Sequence, residues 1–207
     1  MYYDADKRDK TLLPHDPLKA IIAPRPIGWV STMNKKGEIN LAPYSFFNAF
    51  SSKPMILGFS SEGLKDSVTF AEDGREFVWN MASLPLLHAM NTSSAPYPRG
   101  LNEFGPAKLK MAASNLVRPP RVSESPAALE CVVTNIIHLK DRHGEEIGSY
   151  LVLGEVVGVH IADQFIHAGR VDTAAMLPLA RLGYMDYAVV DKVFQLQRPE
   201  GGGDQVP

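Results

Sequence analysis

The sequence contains a single cysteine, Cys131, among its 207 residues. One cysteine excludes an intrachain disulfide and any zinc site that is built from several cysteines. Because Cys131 lies in the apolar run 129–137, we expect a buried and unreactive thiol. The histidines give no metal signature either, because His138, His143 and His160 lack the spacing of metal ligands. The sequence therefore predicts no metal site.

A strong excess of charge is also missing. The chain carries 21 Lys and Arg against 23 Asp and Glu, and its only basic run is Lys35-Lys36, which argues against a nucleic-acid interface. Long apolar runs are absent as well, because the most apolar stretch, 150–162, carries Glu155 and His160 and is too short to cross a bilayer. The first residues, MYYDADKRDK, lack the apolar core of a signal peptide, and a cytoplasmic location is expected.

Several nucleotide-binding and catalytic motifs are absent too. There is no G-x-G-x-x-G and no P-loop, so a nicotinamide cofactor would not be held by a Rossmann site. The segment GFSSEG resembles a nucleophile elbow only superficially, because its second glycine follows Ser60 by three residues instead of two; a serine hydrolase is excluded. The composition, 45% hydrophobic and 21% charged, is that of an ordinary globular domain. We expect one domain at 17–199, between an N-terminal arm at 1–16 and a flexible tail at 200–207.

What is present are many strand-like segments and few helical ones, a pattern typical of a small antiparallel barrel. Gly148, Gly154 and Gly158 predict bulges of the kind that curl a barrel strand. Pro43 predicts a sheet edge or a bulge. The predicted strands are 27–33, 39–50, 55–60, 76–82, 129–139, 147–162 and 187–197, and the predicted helices are 66–73 and 84–92.

Other segments carry weaker expectations. The sequence predicts a short strand or a turn at residues 18–24. It predicts one or two helical turns at residues 107–114. Asp66 is a plausible N-cap of the first helix, and Gly74 stands where a C-cap glycine belongs. The Pro- and Gly-rich loop 93–106 is long enough to serve as a lid.

The stretch from residue 25 to residue 67 contains most of the small hydroxyl side chains that can face a polar ligand. Its last turn, SSEGLKDS, places hydroxyls and a lysine at the start of a helix, where backbone N–H groups and the helix dipole favour a phosphate. The same turn is also compatible with a simple capped helix. Polar side chains interrupt the apolar strands before it, and Asn48 can both donate to and accept from a flat heterocycle. These side chains are Ser31, Thr32, Ser45 and Asn48, with Phe46 and Phe47 as apolar walls.

Several separate blocks of the chain resemble the flavin reductase-like, FMN-binding split-barrel family, of the nitrilotriacetate monooxygenase component B type. The resemblance covers about residues 15–199 and implies an FMN-binding split β-barrel, an antiparallel Greek-key barrel with a few short flanking helices. It also implies a homodimer that uses FMN, takes electrons from NADH or NADPH, and supplies reduced flavin to a partner monooxygenase. The blocks are RPIGWVST, NLAPYSFFNAFSSKP, KDS, GLNEFG, RPPRVSESPAALEC, LVLGEVVGVHI and RLGYMDYA.

The resemblance also suggests roles for individual residues. Ser60, Ser61, Lys65 and Ser67 become candidate ligands of the FMN phosphate, with Arg25 as a second cationic partner and Asp66 as the helix cap. Trp29 is expected either in the core or against one face of the flavin ring. Arg181 is expected either to form a surface ion pair or to reach the flavin or the dimer interface. The residues expected near the edge of the ring system are Ser31, Thr32, Ser45, Phe46, Phe47 and Asn48.

One departure from the family pattern keeps a second function open. Many members carry Gly-Asp-His before the long C-terminal strand, whereas this chain has Gly148-Ser149-Tyr150, so the histidine associated with nicotinamide handling is missing. An FMN-binding electron carrier, flavoredoxin-like and without NAD(P)H activity, is therefore the alternative to a flavin reductase. A small barrel that binds another ligand or haem is a third possibility, for which no axial-ligand pattern stands out. No catalytic side chain is predicted in the reductase, because the cofactor carries the chemistry.

Overall fold

The computed structural model describes residues 1–197 and residue 199. Its helices are α1 Leu18–Ile21, α2 Asp66–Gly74, α3 Leu87–Thr92 and α4 Thr173–Met176, with 3₁₀ turns at Leu84–Leu86 and Asp163–Phe165. Its strands are β1 Arg25–Pro26, β2 Gly28–Met33, β3 Ile39–Tyr44, β4 Phe47–Ser52, β5 Met55–Glu62, β6 Glu76–Asn80, β7 Met111–Ala112, β8 Arg121–Val122, β9 Ala127–Lys140, β10 Glu146–Ile161, β11 Ile166–His167, β12 Arg170–Val171, β13 Leu179–Arg181 and β14 Tyr187–Val189.

Seven strands form one antiparallel sheet in the order β3-β2-β6-β9-β10-β5-β4. Its two edge strands, β3 and β4, follow each other in the chain and are separated by only Ser45 and Phe46. The edges of a seven-stranded sheet come this close only when the sheet curls upon itself. The sheet is therefore a barrel that stays open between β3 and β4, which confirms the prediction of a mainly β, antiparallel barrel with few short helices.

Irregular pairing bends the longest hairpin, β9–β10, around the barrel. Register shifts occur between Glu146 and Tyr150, between Leu153 and Gly154, and between Val156 and Gly158. The bulges expected at the three glycines are confirmed. At Gly154 a side chain would also collide with Phe77, because an added Cβ would lie 2.4 Å from its ring.

The barrel interior is filled by apolar side chains that alternate along the strands, among them Val30, Phe59 and Phe77, all fully buried. Helix α2 closes one side of it through Val68 and Ala71. Burying side chains of this kind stabilises the fold by roughly 1.5–3 kcal/mol each. A second apolar cluster lies outside the barrel wall and includes Trp29, Leu41, Met90, Phe104 and Leu179. This second cluster holds α3 and the loop after it against β2 and β3.

Several sequence-based boundaries were wrong. The single strand predicted at 39–50 is two strands, because the chain leaves one sheet edge after Tyr44 and enters the other at Phe47. Pro43 does lie in an edge strand, as predicted. The expected strand 187–197 is limited to Tyr187–Val189, because its neighbour β13 offers only three residues for pairing. Residues 18–24 contain a short helix, and 107–114 contain β7, which pairs with β8 instead of forming helical turns.

The ends of α2 also differ from the prediction. Lys65 is the N-cap and Asp66 is the first helical residue, whose carboxylate is bound by a neighbouring loop. At the other end Arg75 takes the left-handed conformation with φ of 61°. Gly74 is needed for space instead, because a Cβ there would lie 2.2 Å from the Met33 carbonyl oxygen.

Residues 1–16 contain no regular helix or strand. The tail predicted at 200–207 lies outside the described residues. Among the helices of the described part, none is long and apolar enough to cross a membrane.

Candidate functional site

A cavity of about 490 Å³, called here the main cavity, lies beside the open side of the barrel. Three segments line it: residues 40–44 of β3, the turn 63–67 that leads into α2, and the loop 93–103 that follows α3. The barrel fixes the first segment, and the packing of α2 on the barrel fixes the second. The third is the long loop that the sequence suggested as a lid.

The loop crosses the main cavity as a strap, residues 94–102, between two buried anchors. Before the strap, the Trp29 indole N–H donates to the Ser93 hydroxyl over 3.0 Å. After it, the carboxylate of Glu103 accepts the N–H of Leu41 at 2.7 Å. Both anchors are buried, so the strap is held at its ends by the second apolar cluster.

The tip of the strap is fastened to the start of α2. The N–H of Gly100 donates to the Asp66 carboxylate over 2.8 Å, and the Arg99 guanidinium lies 3.6 Å from the same group. Arg99 also donates to the carbonyl of Leu64. These contacts explain why the Asp66 carboxylate does not cap its own helix.

One end of the main cavity is suited to an anion, and we call it the anion end: Lys65, Ser67, Arg99 and the first N–H groups of α2. The helix start contributes a partial positive charge, and the two cations add to it. The like charge of Asp66 is offset by its pairing with Arg99 and Gly100. A phosphate-sized group is the chemistry that this end can accommodate.

A buried polar network forms the wall behind the anion end. The Tyr44 hydroxyl contacts the hydroxyls of Ser61 and Ser67. Burial raises the pKa of Tyr44, which these hydrogen bonds only partly counter, so the phenol stays protonated. Ser67 lies 2.7 Å from the Asn40 amide, which reaches towards Glu103. The network therefore connects the anion end to a buried carboxyl group.

A smaller cavity of about 150 Å³, called here the side cavity, adjoins the main one and shares Pro43, Tyr44 and Ser94 with it. Ser45 and Arg181 line the side cavity. The Arg181 guanidinium donates to the Tyr187 hydroxyl over 2.7 Å and lies 4.6 Å from the centre of that ring. The two cavities share a wall of Pro43 and Tyr44, with Lys65 and Arg99 lining the main cavity and Arg181 the side cavity.

Five of the residues predicted from the sequence line one of the two cavities: Lys65, Asp66, Ser67, Ser45 and Arg181. Arg25 does not. Its buried guanidinium donates to the backbone carbonyls of Lys19, Ile22 and Leu182. Burial and, to a lesser extent, the charge of Arg181 lower the pKa of Arg25. Arg25 thus holds α1 to the segment after β13 in this chain.

Five predicted polar or aromatic residues lie behind the cavities. Trp29, Ser31 and Thr32 are fully buried. Trp29 acts on the site only through the Ser93 anchor, and Ser31 donates to the carbonyl of Pro120. Ser61 reaches the network through Tyr44, whereas Ser60 is half-buried and its N–H donates to the Phe46 carbonyl.

The remaining three predicted residues lie at the start of β4, where Phe46 and Asn48 are exposed and Phe47 is partly buried against the barrel core. Phe46 is 40% exposed, with Lys19 and Arg25 near the face of its ring. Phe47 stacks in parallel on Trp79 with 5.8 Å between ring centres. Asn48 is exposed, and its amide oxygen accepts the N–H of Ala49.

The cavity residues missed by the sequence reasoning include Asn40, Tyr44, Ser94, Arg99 and Glu103. The blocks NLAPY and GLNEFG contain three of them, so a signal existed. Their roles depend on contacts between β3, α2 and the strap, which lie far apart in the chain.

Two side-chain predictions concern chemistry outside the cavities. Burial raises the pKa of the Cys131 thiol, and the charge of Glu130 adds to the effect. The predicted burial of this cysteine is confirmed, and the raised pKa favours the low reactivity expected from the sequence. Within the part of the chain that the structure describes, no three His, Cys, Asp or Glu side chains gather in a way that could hold a metal ion.

Comparison with sequence families identifies a domain family. The model of the flavin reductase-like domain matches residues 22–179, about three quarters of the chain. An uncharacterized protein of Halalkalibacterium halodurans is 34% identical over 183 residues, which cover 86% of this chain and 87% of that protein. An uncharacterized protein of Aquifex aeolicus is 33% identical over 169 residues, covering 79% and 83%.

Solved structures share the same fold. Nitrilotriacetate monooxygenase component B from Bacillus cereus superposes with a TM-score of 0.86 at 28% identity, covering 95% of this chain and 98% of that one. A Shewanella frigidimarina protein described as a putative flavin reductase with a split barrel domain superposes with a TM-score of 0.83 at 19% identity, covering 96% of this chain and 100% of that one. Flavoredoxin of Desulfovibrio vulgaris gives 0.75 at 16% identity, covering 95% and 98%. The split barrel predicted from the sequence is confirmed.

Proposed function

The chain belongs to the flavin reductase-like domain family, and we propose from this that it binds FMN and acts as an NAD(P)H:flavin oxidoreductase. The observation that carries the proposal is the site formed by the main and side cavities, which share Pro43 and Tyr44. Its cationic end suits the phosphate of a flavin mononucleotide. Its wall of Pro43 and Tyr44 suits a flat ring.

The residues of the anion end fit the phosphate in charge and in hydrogen-bonding capacity. Lys65 and Arg99 supply two cations beside a group that carries about two negative charges, and Arg99 also pairs with Asp66 at 3.6 Å. The N–H groups at the start of α2 and the hydroxyl of Ser67 supply donors. The phosphate ligands expected from the sequence are thus reduced to Lys65 and Ser67, with Arg99 added and Arg25 removed.

When bound, FMN would accept a hydride from a nicotinamide, and this chain's residues would only bind and orient the ring. Arg181 is placed for such a role, because it lines the side cavity beside Tyr44 and is held there by Tyr187. No general acid or nucleophile is required from the protein. We therefore assign no catalytic side chain.

The partner of the reaction is proposed from the relatives. Similarity to a nitrilotriacetate monooxygenase component B supports a separate monooxygenase that receives reduced flavin. A homodimer is supported by apolar side chains exposed at and beside the edge strand β4, where Phe46, Phe50 and Met55 are 40%, 55% and 43% exposed. Apolar patches of this kind often mark interfaces.

The test is a spectrum and a turnover assay on the full chain. We expect a flavin absorption spectrum on the purified protein, or saturable quenching of FMN fluorescence on titration, and steady oxidation of NADH or NADPH in the presence of FMN. A Lys65→Gln variant should bind FMN about tenfold more weakly and riboflavin almost unchanged, because only FMN carries the phosphate. Failure of the wild-type chain to bind FMN would refute the proposal.

A second candidate function is an electron carrier that binds FMN without reacting with NAD(P)H. It is favoured by Tyr150, which stands where related reductases carry a histidine. The Tyr150 ring stacks on His138 with 4.3 Å between ring centres, so it is held within the β9–β10 hairpin. Stopped-flow mixing separates the two functions: a bound flavin that dithionite reduces and both nicotinamides leave oxidised identifies the carrier.

A further inference from the structure

The side cavity is lined by one arginine, Arg181, and by no acidic side chain among the residues that the structure describes. One part of its lining is apolar, and another part carries polar groups that can donate hydrogen bonds. The apolar part includes Ile27, Pro43, Met90 and the Tyr187 ring, and the polar part includes Ser45 and Asn91. Such a lining suits a small molecule that has an apolar body and a negatively charged end.

The guanidinium of Arg181 is held in a fixed orientation and still has donors to offer. Its Nη1 donates to the Tyr187 hydroxyl over 2.7 Å, and its Nη2 donates to the Tyr184 carbonyl. The centre of the Tyr187 ring lies 4.6 Å from the guanidinium carbon. A guanidinium carries five N–H donors in a rigid fork, so these two hydrogen bonds leave three. A fixed fork with remaining donors is the group that recognises a carboxylate in a bidentate manner.

A second guanidinium, that of Arg25, adds to the positive charge beside the side cavity. Arg25 in β1 is the register partner of Arg181 in β13. It is only 6% exposed, and its Nε has no hydrogen-bond partner within the described part of the chain. Its other nitrogens donate to backbone carbonyls, which carry no net charge. Burial lowers the pKa of Arg25 and the charge of Arg181 lowers it further, so the two groups are close enough to repel each other.

Neither arginine is neutralised by a carboxylate of the described residues. The salt bridges of these residues involve other cations, and none of them includes Arg25 or Arg181. A buried charge is normally paired, because burial of a lone charge is costly and a neighbouring like charge adds to that cost. Two adjacent guanidinium groups without a carboxylate therefore indicate an anion from outside the chain. The side cavity is where such an anion can reach Arg181.

The volume of the side cavity limits the size of the anion. About 150 Å³ corresponds to the volume of roughly five molecules of liquid water, which is enough for a single six-membered ring with one small substituent. Sites for larger ligands such as nucleotides occupy about 300–1,000 Å³, a range that contains the main cavity and not the side cavity. An inorganic anion would leave the apolar lining without contacts. The chemical class that fits is a monocarboxylic acid with one small ring.

We propose that the side cavity is a binding site for a small monocarboxylic acid with an apolar ring, whose carboxylate is held by Arg181. The ring contacts Ile27, Met90 and Tyr187, which line the same cavity. The charge of Arg25 strengthens the attraction without a direct contact to the acid.

The binding itself goes beyond the proposed function, because it needs only the side cavity. The two cavities share Pro43, Tyr44 and Ser94, so an acid in the side cavity lies beside the molecule in the main cavity. With FMN there, the acid is the second small molecule at the site, a consequence that does rest on the proposed function. The three remaining donors of Arg181 suffice for a bidentate carboxylate and one contact to the flavin.

The test is a ligand-observed NMR titration of the full chain at neutral pH with benzoate and with benzamide, which has the same ring and a similar size but no charge. We expect benzoate to bind with a dissociation constant of about 0.1–1 mM, and about tenfold more tightly than benzamide. Arg181→Gln should weaken benzoate binding about tenfold and change benzamide binding less than about twofold. Arg170→Gln, which removes the same charge from an exposed arginine, should match the wild type for both ligands.

A second variant separates loss of the charge from loss of the fold. Arg181→Lys keeps the charge and loses the fork, so it should bind benzoate about three- to fivefold more weakly than the wild type, between the wild type and Arg181→Gln. Saturating FMN should change the benzoate affinity less than about threefold. Equal binding of benzoate and benzamide, unchanged benzoate affinity in Arg181→Gln, or displacement of benzoate by FMN would each overturn the inference while FMN binding stands. Benzoate binding by a wild-type chain that does not bind FMN would support the inference and refute the proposed function.

Discussion

Replacing the buried Glu130 should destabilise the fold more than replacing an exposed charged residue would. Its carboxylate is fully buried in β9 and accepts the N–H groups of Asn115, Leu116 and Val117 at 2.7, 2.6 and 3.2 Å. It also contacts the imidazole of His160 on β10. One side chain therefore ties the segment between β7 and β8 to the barrel wall.

The magnitude follows from what the substitution leaves behind. Glu130→Ala leaves the buried N–H of Val117, two part-buried N–H groups and a partly buried imidazole without their acceptor, and removing one partner from such a set typically costs about 3–5 kcal/mol. Against a total stability of roughly 5–15 kcal/mol this is a large fraction. For a chain of about 200 residues it corresponds to a loss of roughly 6–20 °C in Tm. Urea unfolding followed by tryptophan fluorescence gives the free energy directly.

Glu76→Gln is the matched control. Glu76 binds the backbone and side chain of Arg118 in the same segment, but both side chains are partly exposed, so its loss should cost no more than about 1 kcal/mol. If Glu130→Ala were as mild as Glu76→Gln, the reasoning about burial would be refuted.

The Glu130 carboxyl group should also affect how the free energy of unfolding changes at acidic pH. Burial alone would raise the pKa of Glu130, but the hydrogen bonds of His160, Asn115 and Leu116 outweigh it and hold the pKa below its ordinary value. A carboxyl whose pKa is lowered by folding stabilises the protein above its unfolded pKa, and loses this contribution as pH falls through the folded value. Glu130→Gln should therefore lose relatively less stability than the wild type on acidification from pH 5 downwards.

Three further outcomes are expected. Arg99→Gln should weaken FMN binding about tenfold, which is the low end of the range for a hydrogen bond to a charged group because Arg99 is 70% exposed. Riboflavin binding should stay unchanged, and the control variant Arg170→Gln should bind FMN like the wild type. Equal losses for both flavins would contradict the prediction. Gly74→Ala should cost about 1–3 kcal/mol in urea unfolding because its Cβ meets the Met33 carbonyl, and a neutral result would contradict the close approach. The Cys131 thiol should react with a chromogenic disulfide only in denaturant, and fast reaction of the native protein would contradict its burial.

The barrel could be predicted from the sequence because its signals are local. Alternating apolar residues, turn residues and the glycines of β10 each act within a few positions, and they gave most strands to within a few residues. The strand boundaries were wrong where they depend on pairing with strands that are distant in the chain. Nothing near Ser45 indicates that the chain changes sheet edges there, and nothing near Val189 indicates that its neighbour strand ends after three residues.

The site was harder to predict than the fold for the same reason. Lys65 and Ser67 were found because a lysine and hydroxyls at a helix start are a local pattern. Arg25 was wrongly predicted to bind the phosphate. Its guanidinium is engaged by three backbone carbonyls, and the sequence around it does not reveal these contacts. Arg99 was missed because its placement depends on a contact with Asp66, 33 residues earlier in the chain.

Asp66 shows why such a site needs non-local contacts at all. A carboxylate in the first turn of α2 stabilises the helix but would repel an anion bound there. The strap resolves this conflict, because Gly100 and Arg99 bind that carboxylate and bring a second cation to the cavity at the same time. A sequence pattern can show the acidic residue and the lysine beside it. Whether the site attracts an anion depends on the arginine that folding places opposite them.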